Sequence, residues 1–195
     1  MKNLRTFVAV EISDAARRYA QSLMNELESK LTGVHWTRRD NLHLTLKFLG
    51  DIPESAINEV CRAIRTAVAA QQPFEIQCAG LGAFPSDARP RTLWVGIQQG
   101  DERLRQLQGE IDGQLTSCGF APERRRFHGH LTIGRIRQRS GLTAEQVSQV
   151  CQLVDRERSA EGVFMELDQV VTFSSFVDST GRVYQPIDHA ELGTS

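Results

Sequence analysis

The sequence predicts an α+β fold built as a single bilobal domain over residues 1–195, from two related β-α-β-α-β units facing each other across a central cleft. Three observations lead there. The phrase His43-Leu44-Thr45-Leu46 returns as His130-Leu131-Thr132-Ile133, 87 residues later. The same offset carries the first strand and both helices of the first half onto counterparts in the second, the mark of an internal duplication. Within each half the apolar period switches between two and about 3.6, so strands alternate with helices of a size that backs one side of a sheet.

Taken in order, residues 5–12 alternate as a first strand. Ser13 is placed to cap a helix whose stripe is Ala16, Ala20, Leu23, Leu27 and Leu31, and Gly33 stops it. Residues 41–49 form the second strand and carry the first motif. Gly50, Asp51 and Pro53 turn the chain into a helix with Ile57, Val60, Cys61, Ile64 and Val68 inward, and residues 74–81 are a third strand. A loop at 84–91, rich in Pro, Ser, Asp and Arg, joins repeat one (about 4–84) to repeat two (about 91–177). There the order recurs: a strand at 92–97, a helix from about 101 with Leu104, Leu107, Ile111 and Leu115 on one face, and a strand at 127–136 with the second motif. A capping box at Thr143 and Gln146 opens the last helix, and 164–173 is again a strand. Residues 174–187 add one more hairpin or strand crossing, turned at Ser179-Thr180-Gly181.

With 40% hydrophobic residues in 195, the chain can bury a substantial core. The start of the chain has no signal-peptide pattern, and no apolar run has the length of a membrane span, so the expected setting is cytoplasmic, with no membrane partner. Cys61, Cys78, Cys118 and Cys151 are widely spaced with no Cys-x-x-Cys pair, and are expected as buried thiols. A net charge of −1 excludes nucleic-acid binding through bulk charge. Between residues 121 and 140, however, Arg124, Arg125, Arg126, Arg135, Arg137 and Arg139 face only Glu123, a basic patch around the second motif suited to a phosphate-bearing substrate.

On a strand, His43 and Thr45 share one face while Leu44 and Leu46 share the other, and the second copy repeats the arrangement. Two such strands side by side aim two imidazoles and two hydroxyls at one point. With an ordinary pKa of about 6.5, one histidine can be neutral and the other protonated near neutrality. Cleaving a phosphodiester needs such a base and such an acid, and threonine hydroxyls can hold the non-bridging oxygens. Zinc would need three or four ligands, and no carboxylate or cysteine stands at ligand spacing around His43, His128 and His130. Phosphate-loop, dinucleotide and nucleophile-elbow motifs are missing from the sequence. The expectation is a metal-free, cofactor-free phosphoryl-transfer site.

The paired motifs, with "NLHLTLKFLGD", "RTLWVGI" and "FHGHLTIGR", resemble the two-histidine phosphoesterase superfamily, and most closely its bacterial 2′-5′ RNA ligase, or RNA 2′,3′-cyclic phosphodiesterase, branch. The resemblance runs from about residue 6 to 177. It implies mainly antiparallel sheets with both motifs on adjacent central strands. It also implies opening of RNA 2′,3′-cyclic phosphates to 2′-phosphates, and reversal to a 2′-5′ bond with a 5′-hydroxyl. Carried over by motif, His43 is the acid that protonates the leaving 3′-oxygen, His130 is the base that activates water, and Thr45 and Thr132 hold phosphate oxygens. Arg135 matches the family's arginine after the second motif. Strict alternation puts it on the face opposite His130; a bulge at Gly134 could turn it back to the phosphate, and without one Arg135 is only part of the basic rim. Gly129 stands where the family commonly has proline, which removes a backbone constraint. Lys47 has the parity of the cleft face, whereas Phe48 and Trp94 are expected in the core. Phe84 is the candidate for stacking a base, and His35, His128 and His189 are read as surface or loop histidines. The expected partner is an RNA or oligonucleotide with a 2′,3′-cyclic phosphate end, acted on by a monomer. A nucleotide-binding module without turnover, or a phosphodiesterase for 2′-5′ oligoadenylate or a small cyclic phosphate, stands as the other reading.

Overall fold

The computed structural model describes residues 2–137, 141–179 and 181–193. Its elements follow the predicted alternation: β1 (Asn3–Glu11), α1 (Asp14–Glu28), a short β2 (Val34–Trp36), β3 (His43–Pro53), α2 (Ile57–Val68) and β4 (Phe74–Phe84), then β5 (Thr92–Gln99), α3 (Asp101–Ser117), β6 (His130–Ile136), α4 (Ala144–Glu157) and β7 (Val163–Leu167), and finally β8 (Gln169–Asp178) and β9 (Gly181–Glu191). The N-caps of α1 and α4 are those the sequence names, whereas α1 itself ends at Glu28 with Ser29 as its C-cap, ahead of Gly33. Ser13 Oγ accepts from the Ala16 amide at 3.2 Å, and Thr143 with Gln146 forms a reciprocal capping box, satisfying amides that a helix start leaves unpaired.

All strand pairs are antiparallel, in the order β7-β4-β5-β6-β3-β1-β8-β9, with β2 pairing to β6 beside this path. Setting the short β2 aside, the first two strands of each half lie together, β1 with β3 and β5 with β6. The third crosses over: β4 pairs with β5, and β8 pairs with β1. The expected single strand at 164–173 is therefore two strands, broken at Asp168, because β7 adds to β4 while β8 adds to β1. These two strands stand six positions apart in the order, about 29 Å in a flat sheet. One residue separates them in the chain, so the sheet curls strongly. The β8–β9 hairpin closes with Asp178 opposite Gly181, at the predicted turn; Thr180 lies outside the described residues.

The helices cover one face, α1 against β6 and β7, α4 against β4, α2 against β9 and α3, and α3 against β3, β4 and β5. Val8, Val10, Leu44, Leu46, Leu93, Val95, Leu131 and Ile133 point into this core beside the helix stripes. A smaller cluster on the other face joins Phe7, Ala9, Val171 and Phe173, with Tyr184 against it. Cys61 and Cys78 are buried, and Cys118 and Cys151 are half-buried; all four are free thiols. Among the described residues no helix is long and apolar enough to cross a membrane.

Candidate active site

The central strands β3 and β6 meet through one pair, Leu44 opposite Leu131. Because the pairing is antiparallel, residues on either side run in opposite senses. His43 is thereby set beside Thr132, and His130 beside Thr45. All four lie on the face away from the helices and line one cavity of about 790 Å³, in the range of small-ligand sites.

Each motif is followed by the same irregularity. Along β1 and β3 the partners are Val10 with Leu44, Ala9 with Thr45, Val8 with Lys47 and Phe7 with Phe48, which leaves Leu46 extra. Along β5 and β6 they are Val95 with Leu131, Trp94 with Thr132, Leu93 with Gly134 and Thr92 with Arg135, which leaves Ile133 extra. A bulge inverts the parity of everything beyond it. Arg135 consequently comes to the cleft face, lines the cavity and donates to Thr92 Oγ1 at 3.5 Å. The matching bulge in β3 corrects two expectations. Phe48 is not in the core but 68% exposed on the cavity wall. Lys47 instead turns its side chain inward, where it is 4% exposed and pairs with Asp112 of α3.

The two imidazoles are held alike. His43 Nδ1 lies 2.7 Å from the Asn41 carbonyl, and His130 Nδ1 lies 2.8 Å from the His128 carbonyl. A carbonyl only accepts, so Nδ1 carries the proton in both rings, and each neutral imidazole keeps its lone pair on Nε2. Aromatic rings fix the planes. Phe7 packs at 4.9 Å and Tyr184 edge-on at 5.0 Å against His43, while Phe84 packs edge-on at 5.0 Å and Trp94 at 6.2 Å against His130. Burial pushes both imidazoles below the ordinary histidine value, opposed by the carbonyl bonds. Arg135 adds to the lowering at both, with His130 contributing at His43 and His128 at His130.

Several residues of the cleft face go beyond the sequence reading. Trp94, expected in the core, is half-buried on the cleft face, its ring laid across Gly82, where a Cβ would stand 2.3 Å from it. His128 is an exposed loop residue, as expected, but it also lines the cavity and packs edge-on to Trp94 at 4.9 Å. Its spacing of two from His130 was the available signal. Tyr184 arrives from β9, remote in sequence from both motifs. Phe84 does line the cavity. His35 and His189 lie elsewhere, His35 exposed on β2 and His189 within hydrogen-bond distance of Gln169. Of the basic patch, Arg125, Arg126 and Arg135 line the cavity with Arg91, whereas Arg139 lies outside the described residues. At Gly129 a Cβ would meet Leu104 of α3 at 2.7 Å, which accounts for a glycine at this point of close packing. Among the described residues no group of three or more His, Cys, Asp or Glu side chains converges.

A sequence model of the family described as LigT like phosphoesterase matches twice, over residues 10–94 and 95–184. The RNA 2′,3′-cyclic phosphodiesterase of Aquifex aeolicus is 31% identical over 194 residues, covering 99% of this chain and 100% of that protein. Among solved structures, TT0787 of Thermus thermophilus aligns with a TM-score of 0.78 at 19% identity, covering 98% of this chain and all of that one. LigT of E. coli, crystallised in complex with 3′-AMP, aligns with a TM-score of 0.74 at 19% identity over 99% of this chain and all of its own. These two structural likenesses concern the fold.

Proposed function

The chain belongs to the LigT-like phosphoesterase family, and on that premise we propose that it is an RNA 2′,3′-cyclic phosphodiesterase that opens a terminal cyclic phosphate to a 2′-phosphate. The observation that carries the reading is the matched pair of imidazoles, each with Nδ1 tied to a carbonyl and both lining one arginine-bordered cavity. In the reaction, neutral His130 takes a proton from water through Nε2 as the oxygen attacks phosphorus. The bond from phosphorus to the 3′-oxygen breaks, and protonated His43 gives that oxygen its Nε2 proton. Hydroxyls of Thr45 and Thr132 and the guanidinium of Arg135 hold the non-bridging oxygens, where charge is greatest. Both imidazoles sit below the ordinary value in the free protein. The anionic substrate raises the pKa of the acid as it binds, since a nearby negative charge favours the cation. With a 5′-hydroxyl in place of water as the attacking group, the same ring opening makes a 2′-5′ bond.

One chain supplies both histidines and both threonines, which supports action as a monomer, and four unpaired thiols support a reducing, cytoplasmic setting. The test is product analysis on an RNA ending in a 2′,3′-cyclic phosphate, with EDTA present. A 2′-phosphate end is expected, a 3′-phosphate end would reverse the leaving group, and saturable binding without product would indicate a binding module. His43→Ala and His130→Ala should each lower kcat by about 10²- to 10⁴-fold while binding of the product persists. Full activity in either variant overturns the acid–base pair.

A further inference from the structure

The bulge after the first motif brings Phe48 to the wall of the cavity, and the equivalent bulge brings Arg135 to the corresponding place in the second half. The two halves match in histidine, threonine and bulge, then differ at this position, one cationic and the other aromatic. A cyclic nucleotide has the same polarity: phosphate at one end, a flat base at the other. Phe48 is 68% exposed, although a phenyl ring gains by leaving water. Its ring is braced from below by Phe7, at 5.9 Å and tilted 42°, and Phe7 in turn stacks on Phe173 at 5.2 Å and 15°. An exposed aromatic on a rigid base beside arginines is the composition of sites that stack nucleobases. The other phenyl and phenol rings at the wall are engaged: Phe84 lies edge-on to His130, Tyr184 edge-on to His43, and Phe127 packs against the main core.

We infer that Phe48 is the platform on which the base of the reacting nucleotide stacks, so that the cleft selects nucleoside cyclic phosphates over cyclic phosphates lacking a base. This rests on the phosphodiesterase reading above and adds the feature by which the substrate is chosen. Stacking persists equally in the ground and transition states, so its loss appears in KM and leaves kcat near its starting value.

The experiment compares adenosine 2′,3′-cyclic phosphate with glycerol 1,2-cyclic phosphate, which has no base, in the wild type, Phe48→Ala, Phe48→Leu and Phe48→Trp. Calorimetric affinities for adenosine 2′-monophosphate and inorganic phosphate run in parallel, and circular dichroism verifies the fold of each variant. The ratio of the KM values for the base-less and nucleotide substrates should fall about tenfold or more in the Ala and Leu variants and hold in the Trp variant. Affinity for the monophosphate should fall in step with that ratio. An unchanged ratio in Phe48→Ala, or retention by Leu as good as by Trp, overturns the platform. If the wild type binds the monophosphate without turning over either substrate, the phosphodiesterase reading fails and the affinities alone decide the role of Phe48. If the wild type does not bind the nucleotide, both fail.

Discussion

His43 and His130 each bond through Nδ1 to the carbonyl two residues earlier, Asn41 and His128, and this shared local device is what leaves both Nε2 atoms available for proton transfer. The recurring side chains were legible in the sequence, because a polar pair repeated on one strand face is hard to obtain from packing alone. The carbonyls were not, since a backbone oxygen leaves no mark in the choice of residue. Arg135 lies close enough to lower both imidazoles, after burial, which is the larger cause at each. Removing its charge should raise both. For kcat/KM the base must be neutral and the acid protonated in the free enzyme, so a wild-type optimum on the acid side of about 6.5 is expected. Arg135→Gln should move that optimum toward neutrality while raising KM for the anionic substrate. Imidazole titrations by NMR measure this directly, and unmoved titrations would remove Arg135 as the shared influence. The same shifts have a stability sign. An unfolded chain takes up protons at the ordinary histidine pKa, before the folded one does. The contribution is therefore complete above about 6.5 and is lost as pH falls from there through the folded values.

Between residue and fold, the two bulges decide which side chains reach the site. Alternation placed His43, Thr45, His130 and Thr132 correctly because all four precede the extra residue, and it failed at Phe48 and Lys47 because they follow it. Gly134 hinted at the second bulge, through the need to turn Arg135. In the first copy the corresponding residue is Lys47, and nothing in a lysine announces a bulge. Turned inward, Lys47 does a different job: its ammonium contacts the Asp112 carboxylate and donates to the Ala121 carbonyl at 2.9 Å, while Asp112 accepts from the Glu123 amide at 3.1 Å. This cluster ties α3 to β3 and to the loop that delivers Arg125 and Arg126 to the cavity wall. Lys47→Met strands the carboxylate, whose side chain is only 18% exposed, and should cost about 3 kcal/mol in urea unfolding. Lys47→Met with Asp112→Leu should recover much of the stability, yet keep a raised KM for an oligonucleotide because the loop stays untied. Recovery of both together would mean that the ion pair serves stability alone.

For the whole molecule, the correspondence of the halves was legible from the 87-residue offset, but the exchange between them was not. β4 leaves the first half to pair with β5, and β8 leaves the second to pair with β1. Residues 164–173 read as one strand because apolar residues continue on both sides of Asp168, and the choice of a distant partner is not encoded by local periodicity. A fragment of residues 1–90 therefore contains β4 without its neighbours, and β1 with one edge open. Neither this fragment nor residues 91–195 should show a cooperative thermal transition alone, whereas coexpression should restore one together with activity. A cooperative transition in either separate half would show that the exchanged strands are dispensable. The Leu44–Leu131 contact has a longer consequence. Residues on either side of it are related by a half-turn, so a chain of half this length, dimerising on that pair, would already bring two histidines and two threonines together. Joining the copies in one gene adds the freedom for them to diverge, phenylalanine at 48 and arginine at 135, an asymmetry that a dimer of identical chains has no means to encode.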